Sequence, residues 1–523
     1  MNYRVLITTS GLGLRLGDFT KYTNKSLIRI KERPVISYIV ENYPKSTEFV
    51  VTLGYYGNHI KQFLEIAYPE RKFIFVRVAK YQGKGSSLLS SMLKARKFLQ
   101  MPFIFHACDT LVFEKIPPPN RNWSGGFKGI DSANYRSFDV VDDFIEKFYD
   151  KGVISPDFLH IGLVGIFDYK IFWEEASQLY NKNKNDQSLS DVQIIDRMIK
   201  NGERFYAVEF KEWHDTGNVR SLFETWSKFS DLTRTMDKPG AATFFVNSHV
   251  IKFFWDENRL EQRVKRAELL KGFVPKISTY SKNFLKYRYI KGNLLSRSIL
   301  PKDFLKFLEW LQNEFWKNAE IENKDKFVSD CKRFYFDKTV ERTNIFFNDL
   351  NMVDTEDFIN GTKVPKLSKI LSRVDFDYLS NGIPSRFHGD LILDNAIEKG
   401  NKFVLLDWRE NFSGNLGVGD RYYDLAKLNH NLCINHEVVN KELFTIKVEG
   451  SKVFCDILRH NRLIECQNIF YKFVDRYDYD LRKIKILTSL IWLNMSPLHQ
   501  HPFDLFLFYF GKYNLWRAIN EEI

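Results

Sequence analysis

VLITTSGLGLRLGDFTKYTNKSL, residues 5–27, passes from an apolar run (Val5-Leu6-Ile7) into small polar residues and two closely spaced glycines, Gly11 and Gly13. Arg15 follows, and after a mostly polar interval Lys25. Glycines just beyond a buried strand let backbone N–H groups approach phosphate oxygens, because no Cβ intervenes. Two well-known phosphate loops do not fit. A dinucleotide-binding turn needs a third glycine where this chain has Leu16, and its helix would begin at once rather than after a polar run. A Walker A loop needs Gly-Lys-Ser/Thr at a spacing not met here. What remains is a triphosphate cradle in which Arg15 and Lys25 neutralise phosphate charge.

Outward from that stretch, β-rich runs alternate with helical ones to about residue 230. RVLITTS, TEFVVTLGY, KFIFVRV, PFIFHACD, HIGLVGIFD and RFYAVEF are strand candidates. PVISYIVENY, HIKQFLEIA, SLLSSMLKARKFL and SLSDVQIIDRMIKNG are helix candidates. This rhythm predicts an α/β domain over 1–232, a mostly parallel sheet with helices on both faces and its ligands at the carboxyl ends of the strands.

G-x-G-x-R followed by T-N-K-S-L resembles the signature of the GT-A-like nucleotidyltransferases, which include sugar-1-phosphate nucleotidyltransferases and phosphocholine cytidylyltransferase. That family usually has proline where this chain has Asn24. Gln82-Gly83-Lys84-Gly85-Ser86-Ser87 resembles the family's second glycine loop, which reads base and ribose. Asp109, in FHACDT, and Asp215, in WHDTGN, match its two metal-binding aspartates. Lys151-Gly152 and His160-Ile161-Gly162 resemble the loops that hold the acceptor phosphate. The resemblance spans roughly residues 1–230. It implies Mg²⁺ on Asp109 and Asp215, a nucleotide on Gly11, Gly13, Arg15, Gln82, Gly83, Gly85 and Ser86, and substrate on Lys151 and Gly162, with Arg15 and Lys25 catalytic. Taken singly these residues have ordinary structural readings as turns, caps and solvated charges; it is their joint occurrence in chain order that points to a phosphate site. The attacking group would be a phosphate monoester, largely dianionic near neutral pH since its second pKa is about 6. Positioning and charge neutralisation would then carry catalysis without a strong general base.

At 231–240, DLTRTMDKPG, the rhythm breaks, and Met236-Asp237-Lys238-Pro239-Gly240 reads as a hinge. A short β region (ATFFVNSHVIKFF), a charged helix (ENRLEQRVKRAELLKG) and a second β pair (ISTYSKNFLKYRYIKG) follow. Amphipathic helix then runs to the end, interrupted at about 386–407 by two strand-like segments. RFHGDLILDNAIEKGNKFVLLDW, residues 386–408, holds H-x-D-x-x-x-x-N (His388, Asp390, Asn395) and an apolar strand ending in Asp407. An aspartate beside an acceptor hydroxyl can take its proton, while an asparagine and a second aspartate can hold Mg²⁺ on a nucleotide's phosphates. The segment resembles the aminoglycoside phosphotransferase and choline kinase family, relatives of protein kinases. That resemblance implies a bilobal α+β domain over 240–523, with a small lobe about 240–295 and a helical large lobe about 296–523. It makes Asp390 the catalytic base, His388 the residue orienting the loop, and Asn395 and Asp407 metal ligands. Lys252, mid-strand in VIKFF, and Glu268 on the charged helix resemble the family's lysine–glutamate pair, Glu261 being the poorer partner. Gly240-Ala241-Ala242 is the only candidate for a glycine loop, and Tyr289-Ile290 falls where the adenine-contacting hinge is expected. In Asp420-x-x-x-Asp424-Leu425-Ala426, Asp424 reads as structural.

Composition sets the outer bounds. A chain of 523 residues exceeds one ordinary core, and 44% hydrophobic with 27% charged residues is the make-up of a globular enzyme. Forty-seven phenylalanines predict Phe-rich cores. Five scattered cysteines without a C-x-x-C pair fit reduced thiols in a cytoplasm. No apolar run approaches the roughly 20 residues that span a bilayer, and no signal peptide is apparent. The formal charge of +12 fits anionic small molecules, since no basic stripe interleaved with aromatics favours nucleic acid. The two halves together predict a bifunctional cytoplasmic enzyme with Mg²⁺ at both sites. ATP would phosphorylate a small alcohol, polyol, sugar or amino alcohol. CTP, favoured over UTP or GTP, would then donate its nucleotide to that phosphate, giving an activated precursor for surface glycans. The alternatives are a sugar-1-kinase coupled to a UTP- or GTP-dependent transferase, and a nucleotide sensor without turnover. Trp408, Tyr422 and Tyr423 read as core, or else as a cage for a cationic head group. The acceptor's identity and the oligomeric state, including a homo-oligomer, stay open at this level.

Overall fold

Short apolar runs bounded by turn residues do become strands in the computed structural model, which describes residues 2–129, 133–152, 156–229, 240–400 and 402–520. The expected hinge at 236–239 lies outside those residues. The N-terminal elements are β1 (Arg4–Thr8), α1 (Val35–Glu41), β2 (Glu48–Leu53), α2 (Gly57–Ala67), β3 (Lys72–Arg77) and α3 (Leu88–Ala95). They continue with β4 (Phe103–Ala107), β5 (Thr110–Val112), β6 (Trp123–Phe127), β7 (Ser137–Val141), β8 (Phe144–Tyr149) and β9 (Phe158–Ile166). α4 (Tyr169–Lys182), α5 (Asp191–Lys200), β10 (Tyr206–Glu209), β11 (Trp213–Asp215) and α6 (Val219–Phe229) complete the set.

A nine-stranded sheet runs in the order β3-β2-β1-β4-β9-β6-β10-β8-β7. β1 is parallel to β2 and β4, and β2 to β3, as the βα rhythm predicts. Beyond β4 the direction changes: β9 is antiparallel to β4 and β6, and β8 to β10 and β7. The expected mostly parallel sheet is therefore a mixed one. The β7–β8 hairpin turns through Asp142-Asp143, both at positive φ, which is the backbone of a tight two-residue turn. Val5 and Ile7 face one apolar layer with α1 and α2, while Leu6 faces the other with α3, α4 and α5. β1 is thus buried on both faces, and its carboxyl end is free to present the loop that follows.

His106 in β4 is sealed in this core. Its Nε2 bonds the Thr110 carbonyl (3.0 Å) and its Nδ1 the Tyr43 hydroxyl (2.8 Å), and burial lowers its pKa to about 4. An unfolded chain would hold this histidine near 6.5. The folded pKa is the lower one, so the stabilisation is complete above about 6.5 and is lost as pH falls toward 4, on the order of 3 kcal/mol. Urea midpoints of the N-terminal transition should therefore drop between pH 7 and pH 5. In His106→Gln that drop should be smaller, and an equal drop in both proteins would assign it elsewhere.

β12 (Ala241–Val246), β13 (His249–Phe254), β14 (Ile277–Tyr280) and β15 (Phe284–Arg288) form a second sheet in the order β12-β13-β15-β14. Its apolar face joins the N-terminal core: Phe63 of α2 meets Phe244 at 5.5 Å and Phe284 at 5.9 Å between ring centroids. Gln62 adds polar contacts, accepting from the Asn283 amide (2.9 Å) and the Ser281 hydroxyl (2.7 Å). The chain accordingly divides into two compact units, Met1–Glu257 with Ser278–Tyr289, and Asn258–Ile277 with Ile290–Ile523.

The second unit is built on α7 (Glu257–Leu269), α8 (Pro301–Trp310), α9 (Lys324–Lys332), α10 (Lys338–Asp349), α11 (Arg421–Cys433), α12 (Asn461–Arg476), α13 (Leu481–Met495) and α14 (Phe503–Asn520). Every residue of α11 is buried. The two strand-like segments at 386–407 become β16 (Ala396–Lys399) and β17 (Lys402–Leu405), paired as a hairpin. A four-stranded sheet drawn from Asp357–Val364 and Phe444–Ile457 interrupts what the sequence reads as helix. Among the described residues no helix is long and apolar enough to cross a membrane, and all five cysteines are buried and unpaired.

Candidate functional site

The loop after β1 is shaped by two residues. Gly13 has φ +70°, and a Cβ there would stand 3.0 Å from Thr20 Cγ2 and 3.4 Å from Lys25 Cβ, so only glycine fits. Asn24, fully buried, takes the place of the proline usual in the resembled family. Its Nδ2 donates to the carbonyls of Thr9 (2.8 Å) and Tyr55 (2.7 Å), and its Oδ1 accepts from the Ser26 amide (3.0 Å). It thereby fastens the loop to β1 and caps the turn that presents Lys25. Asn24→Ala strands two buried carbonyls and one amide, so the first unit should lose about 3 kcal/mol, read as an earlier chemical-denaturation midpoint. A change under about 0.5 kcal/mol would remove this role from Asn24.

Lys25 and the two predicted metal aspartates meet at the carboxyl end of the sheet. Lys25 Nζ lies 2.5 Å from Asp109 Oδ2. β11 pairs with β5 so that Asp215 opposes Thr110, and the Thr216 amide bonds the Asp109 carbonyl at 2.9 Å. A Cβ on Gly217 would fall 2.8 Å from Asp109 Oδ2, 3.0 Å from Asp215 Oδ1 and 3.2 Å from Arg15 Nη2. Both carboxylates and the arginine therefore face one small space that glycine keeps open. Burial opposes the charge on both Lys25 and Asp109, but their mutual attraction outweighs it, holding the lysine's pKa up and the carboxyl's down. Asp215 moves the other way: burial, then the charge of Asp109, raise it against bonds from Ser221 (2.7 Å), the Gly217 amide (2.9 Å) and Tyr135 (3.0 Å). Two carboxylates of unequal basicity beside a space without a side chain suit Mg²⁺, which takes few protein ligands and completes its shell with water and phosphate.

An open cleft of about 340 Å³ adjoins this cluster, lined by Gly13, Arg15, Lys25, Gln82, Gly83, Ser86 and Gly217 together with Leu12, Leu14, Tyr81 and Gln187. The second glycine loop turns through Gly83 (φ +75°) and Gly85 (φ +82°). It ends in a reciprocal cap between Ser87 and Ser90 that starts α3. Gly11 is exposed, and a Cβ there would touch nothing. Lys151 follows β8; burial and the charges of Arg15 and Arg136 lower its pKa while Asp215 raises it, which places it within reach of this cluster's field. Gly162 corrects an expectation: it lies inside β9 at an irregularity of the register, not in a loop. Its neighbour His160 is tied to Asp191 (2.9 Å) and Ser124 (3.0 Å). Tyr81, Tyr135, Gln187 and Ser221 carry no spacing motif by which the sequence alone would mark them.

In the second unit the segment 386–409 is knitted into one structure. His388 is fully buried; its Nε2 donates to the Leu406 carbonyl (2.8 Å) and its Nδ1 accepts from the Asp390 amide (3.3 Å), with burial lowering its pKa to about 4. Asn395 Nδ2 donates to the Asp390 carbonyl (2.9 Å), and the Leu406 amide to the Asn395 carbonyl (2.7 Å). These bonds bring Asp390, Asn395 and Asp407 together. Asp407 holds φ +57°, an unfavourable backbone for a residue with a Cβ and one that concentrates at working sites. Asp390 Oδ1 pairs with Lys427 of α11 at 2.9 Å. Asp424 is structural, as expected: its carboxylate accepts from the amides of His388 (2.7 Å) and Gly389 (2.7 Å) and from Trp316 Nε1 (3.2 Å).

α7 supplies something unforeseen. Glu261 and Glu268 are both exposed, Glu261 pairing with Lys265. The buried residue is Arg266, whose guanidinium donates to the carbonyls of Phe387 (2.6 Å), Leu416 (2.9 Å) and Arg409 and lies 3.9 Å from the centre of the Phe387 ring. Burial lowers its pKa to about 9. Lys252 is buried in β13 of the first unit. Gly240-Ala241-Ala242 is not a loop: Ala241 and Ala242 open β12, and the hairpin to β13 is the two-residue turn Asn247-Ser248, both at positive φ. Tyr289 is half exposed at the end of β15. Trp408, Tyr422 and Tyr423 are buried, Trp408 donating to the Arg263 carbonyl (2.9 Å), so they are core and not a cage. Among the described residues no three His, Cys, Asp or Glu side chains gather into a self-contained metal site.

No family model and no curated protein matches this chain. Among solved structures it is similar to a CTP:phosphocholine cytidylyltransferase from Streptococcus pneumoniae, with 15% identity and TM-score 0.37 over 44% of this chain and 100% of that one. It is similar also to an inositol-1-phosphate CTP transferase from T. maritima, with 16% identity and TM-score 0.35 over 44% of this chain and 96% of that one. A UDP-glucose pyrophosphorylase from Acinetobacter baumannii gives 14% identity and TM-score 0.37 over 45% and 96%. The likeness is to nucleotidyltransferases and falls on the N-terminal part of the chain.

Proposed function

We propose that this chain is a nucleotidyltransferase joined to a small-molecule kinase, the kinase making the phosphate that the transferase activates. The observation that carries the first half is the meeting of Lys25, Arg15, Asp109 and Asp215 around Gly217, beside a cleft lined by two glycine loops. The triphosphate would lie along the loop of Gly13 and Arg15, with its base and ribose against Tyr81 to Ser86. Mg²⁺ held by Asp109 and Asp215 would neutralise charge as pyrophosphate departs. Lys25 and Arg15 offer donors to the phosphates, and Lys151 to the incoming phosphate monoester. That monoester needs no deprotonation, which agrees with a site whose titratable groups are carboxylates and cations.

The second half rests on the stitched segment 388–407. Asp390 would accept the proton of the acceptor hydroxyl; the oxygen would form its bond to the γ-phosphorus of ATP while the bond to the β-phosphate oxygen breaks and ADP leaves. Asn395 and Asp407 would hold Mg²⁺ there, and buried His388 positions the loop.

Because the small sheet shares its core with the N-terminal unit, the test uses the whole chain. CTP, UTP, GTP and ATP with Mg²⁺ are each measured for thermal stabilisation, since a ligand bound only by the folded state raises the transition. CTP should shift the first unit, and pyrophosphate should appear once a phosphorylated alcohol is supplied. Stabilisation without turnover for any acceptor would favour a nucleotide sensor.

A further inference from the structure

Around the proposed base of the second unit, positive charge exceeds what the neighbouring acids can pair. Lys427 is engaged with Asp390 (2.9 Å), and Glu410 with Arg259 (3.3 Å) and Arg263 (3.4 Å). Three further cations gather there. Lys338 Nζ stands 4.2 Å from the centre of the Phe334 ring, and the Arg409 guanidinium 4.8 Å from the same centre. Phe412 stacks on that ring at 4.4 Å, and Tyr423 packs nearly perpendicular to it at 4.8 Å. Arg342 lies one helical turn beyond Lys338 on α10, on the same side of the helix. Among the described residues none of these three is in an ion pair. Burial, followed by the charges of Arg409, Arg342 and Lys427, pushes the Lys338 pKa well down. A π-helical turn, Arg333–Asp337, sets the direction of α10 just before Lys338, and wide turns of this kind concentrate at functional positions.

Arg409 is bound to the catalytic segment itself. Its amide donates to the His388 carbonyl (3.0 Å), and a Cβ on Gly389 would stand 2.6 Å from Arg409 Cβ. Arg409 is therefore held beside the Asp390 loop, where its charge acts on Lys427, the partner of Asp390, and on Arg263. Trp408, Tyr422 and Tyr423, the aromatics that would cage a cationic head group, are packed in the core. Glu410 is the acid whose charge reaches Lys338 and Arg409, and it is shared with Arg259 and Arg263; like charges crowded with so little counter-charge are costly until an anion joins them.

We propose, resting on the kinase reading, that the acceptor is an alcohol bearing its own anionic group, a carboxylate or a phosphate, which Lys338, Arg342 and Arg409 hold while its hydroxyl meets Asp390. Phosphoryl transfer proceeds as above; the anion orients the acceptor and takes no part in bond making.

Transfer of labelled γ-phosphate from ATP by the whole chain is measured with glycerate and glycerol phosphate as anionic probes, and with choline, ribitol and glucose as cationic and neutral ones. A small-molecule cell extract, fractionated on an anion exchanger, covers acceptors outside this panel. Acceptor activity should reside in glycerate, glycerol phosphate or the retained fractions, and which of these serves separates carboxylate from phosphate. Lys338→Met and Arg409→Met should then raise KM for that acceptor about 10- to 100-fold, with KM for ATP within about twofold, while Lys338→Arg keeps most of the affinity. Activity confined to choline, ribitol, glucose or the unretained fractions would overturn the proposal and leave the kinase intact. A rise in KM for ATP instead would assign the cations to the nucleotide. Absence of transfer to every probe and fraction would remove the kinase reading, and this proposal with it.

Discussion

Asp109→Asn is expected to reduce pyrophosphate release by about 10²- to 10³-fold while ATP-dependent phosphorylation by the same chain changes less than about twofold. The substitution keeps the side chain's shape but removes the charge that Lys25 meets at 2.5 Å. It also removes one of the two carboxylates that flank Gly217, and with it half of the proposed Mg²⁺ site. A cost in stability is expected as well, about 3 kcal/mol, because Lys25 keeps its charge in a buried place without its partner. The two effects are separable. Asp215→Asn also halves the metal site but leaves the Lys25–Asp109 pair in place, so it should lose activity with a smaller loss of stability. Equal loss of phosphorylation in Asp109→Asn would show that the units do not work independently, and normal pyrophosphate release would remove Asp109 from the chemistry.

The residues that sequence made legible are those whose role depends on spacing along the chain. Gly13 and Lys25 lie on the loop that follows β1, Asp109 just beyond β4, and Asp215 at the end of β11, whose pairing with β5 sets it opposite Thr110 beside Asp109. The same holds for His388, Asn395 and Asp407, which one hairpin and its flanking loop connect. What sequence did not reveal depends on burial and on contacts across the fold. β6, Trp-Ser-Gly-Gly-Phe, has too little side chain to read as a strand, and its pairing with β9 and β10 is what makes it one. The change from parallel to mixed sheet follows from that omission. The small sheet looks independent in sequence, but its apolar face is completed by Phe63 and the rest of α2, a pairing no local pattern encodes. Arg266 is not legible in the sequence, because an arginine on a charged helix ordinarily points to solvent. Here four backbone carbonyls and an aromatic face compensate its burial.

Asp390→Asn should lower phosphoryl transfer by about 10²- to 10⁴-fold, the usual cost of losing a proton-accepting group. Nucleotidyl transfer to an acceptor supplied already phosphorylated should stay within about twofold of the parent chain. The loop's geometry gives the experiment its force. The amides of His388 and Gly389 are held by Asp424, the Asp390 carbonyl by Asn395, and the His388 ring by the Leu406 carbonyl. None of these bonds involves the Asp390 carboxylate, so the substitution leaves these bonds of the segment in place. Lys427 does lose its counter-charge at 2.9 Å, and the double substitution Asp390→Asn with Lys427→Met separates that electrostatic cost from the loss of the base. If the carboxylate serves only to neutralise Lys427, the double variant should recover phosphorylation. If it is the base, activity stays down in both while the denaturation midpoint recovers in the second, and undiminished phosphorylation in Asp390→Asn alone would place the base elsewhere.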